Sequence, residues 1–143
     1  MPVAVVILAA GKGSRMKSDL PKVLHKVAHA PLLVHAMRSA QAIDADRIVV
    51  VTGHGGADVA AAAKEYAPDV VITAQEEQLG TGHAVQQAAA ALADFDGDVI
   101  VLYGDTPFIQ EDTLLRMLAA RKNGASVVVL GFEAADPGRY GRL

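Results

Sequence analysis

The chain has 143 residues, enough for one domain of ordinary size with a real core. Hydrophobic residues make up 52% and charged ones 20%, which excludes a disordered chain, and aromatics at 4% leave Val, Ile, Leu and Ala to build the interior. The formal net charge of −3 argues against a globally basic nucleic-acid binder, and the lack of cysteine removes disulfides, thiolate zinc sites and cysteine nucleophiles together.

The first apolar run, Val3 to Leu8, is continuous rather than alternating, the pattern of a strand covered on both faces. The stretch to Ala10 is too short to span a membrane and no basic residue precedes it, so a soluble cytoplasmic chain is expected. It exits into "LAAGKGSRMKSDLPK". Met16 stands where a P-loop starting at Gly11 needs its second glycine and where a dinucleotide fingerprint needs its third, so both patterns fail. What remains is physical. Ala9, Ala10, Gly11 and Gly13 let a ligand approach the backbone, and Lys12, Arg15 and Lys22 bring cations to the same loop. That combination points to a polyphosphate.

A helix is expected from Pro31 to Ile43, with proline in the first turn. A second buried strand, Arg47 to Thr52, leads into "TGHGG", read as a turn before an alanine-rich helix from Ala57 to Tyr66. A third strand, Asp69 to Thr73, precedes "AQEEQLGTGHAV" and a helix from Gly82 to Ala93. Gln75 can offer a donor and an acceptor in one plane, as a pyrimidine edge requires, and Gly80 permits close approach; Thr81 or Gly82 is equally ordinary as a helix cap. A fourth strand, Asp98 to Tyr103, ends at Gly104-Asp105. A lone carboxylate there suits Mg2+ among phosphate oxygens, although an aspartate also starts turns before a proline such as Pro107. The helix from Glu111 to Asn123 carries Leu114, Leu115 and Leu118 and ends at Asn123-Gly124, before a fifth strand from Ser126 to Phe132.

The order βαβαβαβαβ predicts an α/β fold with a doubly wound, mostly parallel sheet, whose ligands sit at the carboxyl ends of the strands near a switch in strand order. The five histidines show no zinc-ligand spacing, and G-x-S-x-G is absent.

Four segments in register, "LAAGKGSRM", "PKVLHKV", "QLGTGHAV" and "YGDTP", resemble the uridyltransferase domain of the bacterial bifunctional N-acetylglucosamine-1-phosphate uridyltransferase/glucosamine-1-phosphate acetyltransferase family. The resemblance runs from Val5 to the last residues, where "DPGRYGRL" looks like the family's "DPTGYGRI", with Arg139 in place of a glycine. It implies a Rossmann-like nucleotide-diphospho-sugar transferase fold. It also implies transfer of a uridylyl group from UTP to N-acetylglucosamine 1-phosphate, with Mg2+, for cell-wall precursor synthesis. By similarity the backbone from Leu8 to Gly11 holds the nucleotide, Arg15 and Lys22 meet its phosphates, and Gln75, Gly80 and Thr81 read uracil. Tyr103, Gly104 and Asp105 match the segment near the ribose and the metal, with Asp105 as the metal ligand, and Gly141 matches a backbone contact to the sugar.

Residues 1–143 are thus expected to be the nucleotide-binding part of a longer protein. The rest of the sugar site, and the β-helix domain that bears the acetyltransferase activity and forms the family's trimer, are expected outside them. The alternatives are a nucleotide-binding chain without turnover and a nucleotidyltransferase for another sugar phosphate.

Overall fold

In the computed structural model, which describes residues 1–11 and 19–141, the chain begins with β1 (Val3–Ala9). A short hairpin follows, β2 (Lys26–Val27) and β3 (Ala30–Pro31), and then α1 (Leu32–Ala42), β4 (Arg47–Gly53), α2 (Ala57–Tyr66), β5 (Val71–Gln75) and α3 (Thr81–Gln86). The last elements are β6 (Asp98–Tyr103) and α4 (Glu111–Lys122). β1, β4, β5 and β6 form one parallel sheet in the order β5-β4-β1-β6. This is the expected α/β fold: the chain moves outward from β1 through β4 to β5, then returns to the other side of β1 as β6. The strand order therefore reverses between β1 and β6, the place where such sheets open a crevice for ligands.

The continuous apolar runs of β1 and β4 follow from helices on both faces, whereas β6, expected to be covered on both, is buried on one face only and exposes Val99, Val101 and Tyr103 on the other. Val5, Ile7 and Val50 face a cluster with Leu33, Ala36, Met37, Val59, Ala63 and Leu114 from α1, α2 and α4. Val6, Val49 and Val51 face the other way, against Ala84 and Ala88. Each fully buried valine or isoleucine contributes about 1.5–3 kcal/mol, so the two inner strands, β1 and β4, dominate stability. At one corner Arg47 Nη1 donates to Ala91 O and Asp94 Oδ1, both at 2.7 Å, and its guanidinium lies 5.4 Å from the Phe95 ring. The Arg47 hydrogen bond holds the Asp94 carboxyl below the ordinary carboxylate range.

Several expectations need correction. Residues Ser126 to Phe132 form no strand: Val127, Val129, Leu130 and Phe132 are exposed, and β6 ends the sheet. An apolar run becomes a strand only where a neighbour's edge takes its N–H and C=O groups, and no described strand pairs with this one. The third strand starts at Val71 rather than Asp69, because Pro68 and Asp69 lie in a turn in which Val70 N donates to Ala67 O. The helix expected to reach Ala93 ends at Gln86. Beyond it the bonds shorten to i→i−3 (Ala88 N to Val85 O, Ala89 N to Gln86 O), with a 3-10 turn at Ala90–Leu92. Leu115 is exposed; Leu114, Met117 and Leu118 form the inward stripe of α4.

The hairpin was not expected. Its turn residues, Ala28 (φ 50°) and His29 (φ 67°), both occupy the left-handed region, as a two-residue hairpin turn asks, without the glycine or asparagine that signals one. No helix among the described residues is long and apolar enough to cross a membrane.

Candidate functional site at the strand-order reversal

β1 and β6 end side by side. Leu8 is registered with Tyr103, and Gly104 N donates to Leu8 O at 2.9 Å, so the backbone from Leu8 to Gly11 and the Tyr103-Gly104-Asp105 segment leave the sheet together. Only glycine fits cheaply at 104. A Cβ there would lie 3.0 Å from Leu8 O and 3.1 Å from Val23 Cγ1. Val23 belongs to the 3-10 turn Lys22–Leu24, which Pro21 opens, and is buried in the core. Burying Val23 fixes the residue before it. Lys22 Nζ lies 3.1 Å from Asp105 Oδ2, across 83 residues of sequence, with the two side chains 41% and 36% exposed. A cation and a carboxylate thus meet over the β1/β6 crevice, half in water, where each can exchange its partner for a phosphate oxygen or a metal ion.

The other flank comes from β5. Gly53 is registered with Gln75, and Thr52 of β4 with Ala9 of β1, so Gln75 stands two strand spacings from β1, about 10 Å away. The strands are tight here: a Cβ on Gly53 would come within 2.6 Å of Ala10 O. Gln75 is 3% exposed. Its Nε2 donates to Gly80 O at 3.1 Å and lies 2.9 Å from His83 Nδ1. Gly80 precedes α3 with φ +103°, a conformation that favours glycine, which turns the chain so that its carbonyl meets Gln75. Gln78 Nε2 reaches back to donate to Ala10 O at 2.6 Å, tying this loop to the end of β1.

Most of the expected residues therefore converge. Leu8, Ala9, Ala10, Gly11, Lys22, Gly104 and Asp105 gather at the β1/β6 ends, and Gln75 and Gly80 form the adjoining flank. Tyr103 lies on the open face of β6, half-exposed, and Thr81 is exposed at the start of α3. Gly141 sits in exposed coil, where an added Cβ would meet nothing within 4 Å. Lys12, Gly13 and Arg15 lie outside the described residues. "TGHGG" is the expected turn: Gly55 has φ +72°, and Gly56 N donates to Gly53 O as α2 begins.

Two participants escaped the sequence reading, Gln78 and His83. Gln78 carries a signal in retrospect, as a second amide three residues after Gln75 in a loop that leaves a strand's carboxyl end. No group of three or more histidine or acidic side chains that could hold a metal ion by itself occurs among the described residues. The single carboxylate of Asp105 nevertheless fits Mg2+, which takes one or two protein carboxylates and fills its shell with phosphate oxygens and water.

Comparison with known proteins places these features in context. Residues 5–139 match the model of the MobA-like NTP transferase domain. The whole chain is 66% identical to the bifunctional protein GlmU of Dinoroseobacter shibae and 65% identical to that of Ruegeria pomeroyi. In each case it spans 32% of the relative's length, about a third. Among solved structures, a nucleotidyl transferase from Methanothermobacter thermautotroptrophicus superposes with a TM-score of 0.68 at 23% identity, covering 82% of this chain and 57% of that one. HddC from Yersinia pseudotuberculosis, solved as a complex with GMP-PN, gives a TM-score of 0.68 at 25% identity over 82% of this chain and 53% of its own.

Proposed function

The chain belongs to the MobA-like NTP transferase domain family, and on that footing we propose that it is the nucleotide-binding part of a protein that transfers a uridylyl group from UTP to N-acetylglucosamine 1-phosphate. The observation that carries the reading is the meeting of Lys22 and Asp105 at the strand-order reversal, beside a glycine-lined backbone. The four uridyltransferase-like motifs and the high identity to the GlmU proteins support uracil and an N-acetylglucosamine acceptor over other members of the family.

In the proposed reaction an oxygen of the sugar phosphate attacks the α-phosphorus of UTP in line. A new P–O bond forms, the bond to the β-phosphate breaks, and pyrophosphate leaves with the electron pair. Little covalent work falls to the protein; it must align two polyanions and offset the charge on the leaving group. Lys22 supplies a mobile ammonium for the phosphates, joined by Arg15. The backbone from Leu8 to Gly11 and Tyr103-Gly104 line the nucleoside, and Gln75, Gly80 and Thr81 take the base. Gly141 is assigned a backbone contact to the sugar. Asp105 would hold Mg2+, which would supply Lewis-acid stabilisation of the negative charge on the phosphates. The reaction uses soluble substrates, consistent with a cytoplasmic setting.

The test is a titration with UTP, with and without Mg2+, on the native chain and on Asp105→Ala, alongside an assay of pyrophosphate release with N-acetylglucosamine 1-phosphate. We expect Mg2+ to strengthen UTP binding to the native chain only. A Mg2+ dependence that survives in Asp105→Ala would place the metal elsewhere, and UTP binding without release by a longer protein that carries the rest of the sugar site would identify a nucleotide binder without turnover.

A further inference from the structure

We propose that His83 is a positioning residue for base recognition: it holds the Gln75 amide in one of its two orientations, so that Oε1 rather than Nε2 is offered to the base. The proposal rests on the reading above, in which Gln75 meets uracil.

The argument begins with the amide nitrogen. Gln75 Nε2 lies 3.1 Å from Gly80 O, and a backbone carbonyl can only accept, so Gly80 identifies the nitrogen end of the amide. The second hydrogen on that nitrogen points to His83 Nδ1 at 2.9 Å. Nδ1 must therefore present its lone pair, which places the ring proton on Nε2. With both N–H groups spent on the loop, Oε1 is the polar atom of this 3%-exposed residue that no described group engages. Gln75 shows a ligand an acceptor and no donor.

That asymmetry is a specificity device. Uracil carries a hydrogen on N3 and cytosine a lone pair there, so a fixed carbonyl facing N3 accepts from uracil and repels cytosine. The opposite orientation would turn an NH2 group outward and reverse the preference. If His83 carried its proton on Nδ1, that N–H would face the amide N–H groups. Relieving the clash would rotate the amide and break the bond to Gly80 as well. A rival for the ring exists: Gln87 Nε2 lies 3.3 Å from His83 Nε2, and a neutral imidazole accepts at one nitrogen only. Gln87 already donates to His83 O at 3.0 Å, and the Gln75 contact is the shorter of the two ring contacts, so the ring serves Gln75.

The experiment compares UTP and CTP affinity in the native protein, His83→Leu, His83→Asn and Gln75→Ala. We expect the native protein to prefer UTP and His83→Leu to lose about tenfold of that preference, the size of one buried hydrogen bond. His83→Asn should keep the preference, because Asn Oδ1 can accept where Nδ1 did. An unchanged UTP:CTP ratio in His83→Leu, or equal losses in both His83 variants, overturns the proposal. Should His83→Leu fail to fold, nitrogen-15 NMR of the native ring decides: the proton on Nε2 supports the proposal and the proton on Nδ1 overturns it. A Gln75→Ala variant with native UTP:CTP preference would instead remove Gln75 from base recognition and with it the reading beneath.

Discussion

Lys22 owes its position to its neighbour. Val23 is buried against the Gly104 turn, so the ammonium is delivered to Asp105 whether or not the ion pair is strong. An ion pair this exposed contributes at most about 1 kcal/mol to stability. Its Lys22 ammonium contributes more to a polyanion, about 1–3 kcal/mol for a charge-assisted bond. Lys22→Ala should therefore leave the urea midpoint nearly unchanged while weakening UTP binding by that larger amount. A matching loss in both would make the residue structural, and unchanged calorimetric titration with UTP would remove its phosphate role. The sequence singles out Lys22 and Asp105 as charges in the loops that follow β1 and β6, although an aspartate before Pro107 also starts a turn. What the sequence did not reveal is that they bind each other, a contact across 83 residues that only the sheet order creates. Gln75 is the converse case. Its amide was readable as a donor and an acceptor, but both donors are taken by Gly80 and His83, partners set by the turn at φ +103°.

At the scale of elements, the nucleotide flank depends on how closely β4 approaches the end of β1. Gly53 is registered with Gln75, and its Cα abuts the Ala10 carbonyl, which also accepts from Gln78. A methyl group at 53 would sit 2.6 Å from that oxygen, and backbone on both sides leaves nothing flexible to yield. Gly53→Ala should cost about 1–3 kcal/mol by denaturant unfolding, the range for overpacking. It should also weaken UTP binding, since relief requires moving Ala10 or Gln75. Native stability in this variant would show that the strand ends can part without cost. β1, β4, β6, α1, α2 and α4 were legible to within a residue or two because buried parallel strands write continuous apolar runs and helices are bounded by residues such as Pro31 and Asn123-Gly124. The run from Ser126 to Phe132 wrote the same signal as β6 and yet forms no strand. Apolar content announces a demand for burial, but pairing needs an available edge, and that information is not local. The hairpin of β2 and β3 failed in the opposite sense, because Ala28 and His29 adopt a turn that their side chains do not advertise.

For the whole molecule, the two faces of the sheet are unequal. The face under α1, α2 and α4 is closed from β4 to β6, whereas the face under α3 leaves Val99, Val101 and Tyr103 exposed along β6. The proposed site lies at the carboxyl ends of β1 and β6, held together by the Gly104–Leu8 bond, the Lys22–Asp105 pair and the Gln78–Ala10 bond. Each of these joins segments far apart in sequence, so unfolding disperses the site, and a nucleotide that binds it stabilises the folded state by mass action. At one hundred times its dissociation constant the gain is about 2.7 kcal/mol, which for a domain of this size raises Tm by roughly 5–10 °C. We expect UTP with Mg2+ to produce such a shift and GTP at the same concentration to produce a smaller one; guanine N1–H beside O6 can meet the Gln75 carbonyl as uracil N3–H beside O4 does, so the difference is expected from the purine's second ring and its 2-amino donor, which replaces the uracil O2 acceptor. A larger shift with GTP would assign the base site to a purine and remove the uridylyl reading, while leaving the phosphate site of Lys22 and Asp105 in place.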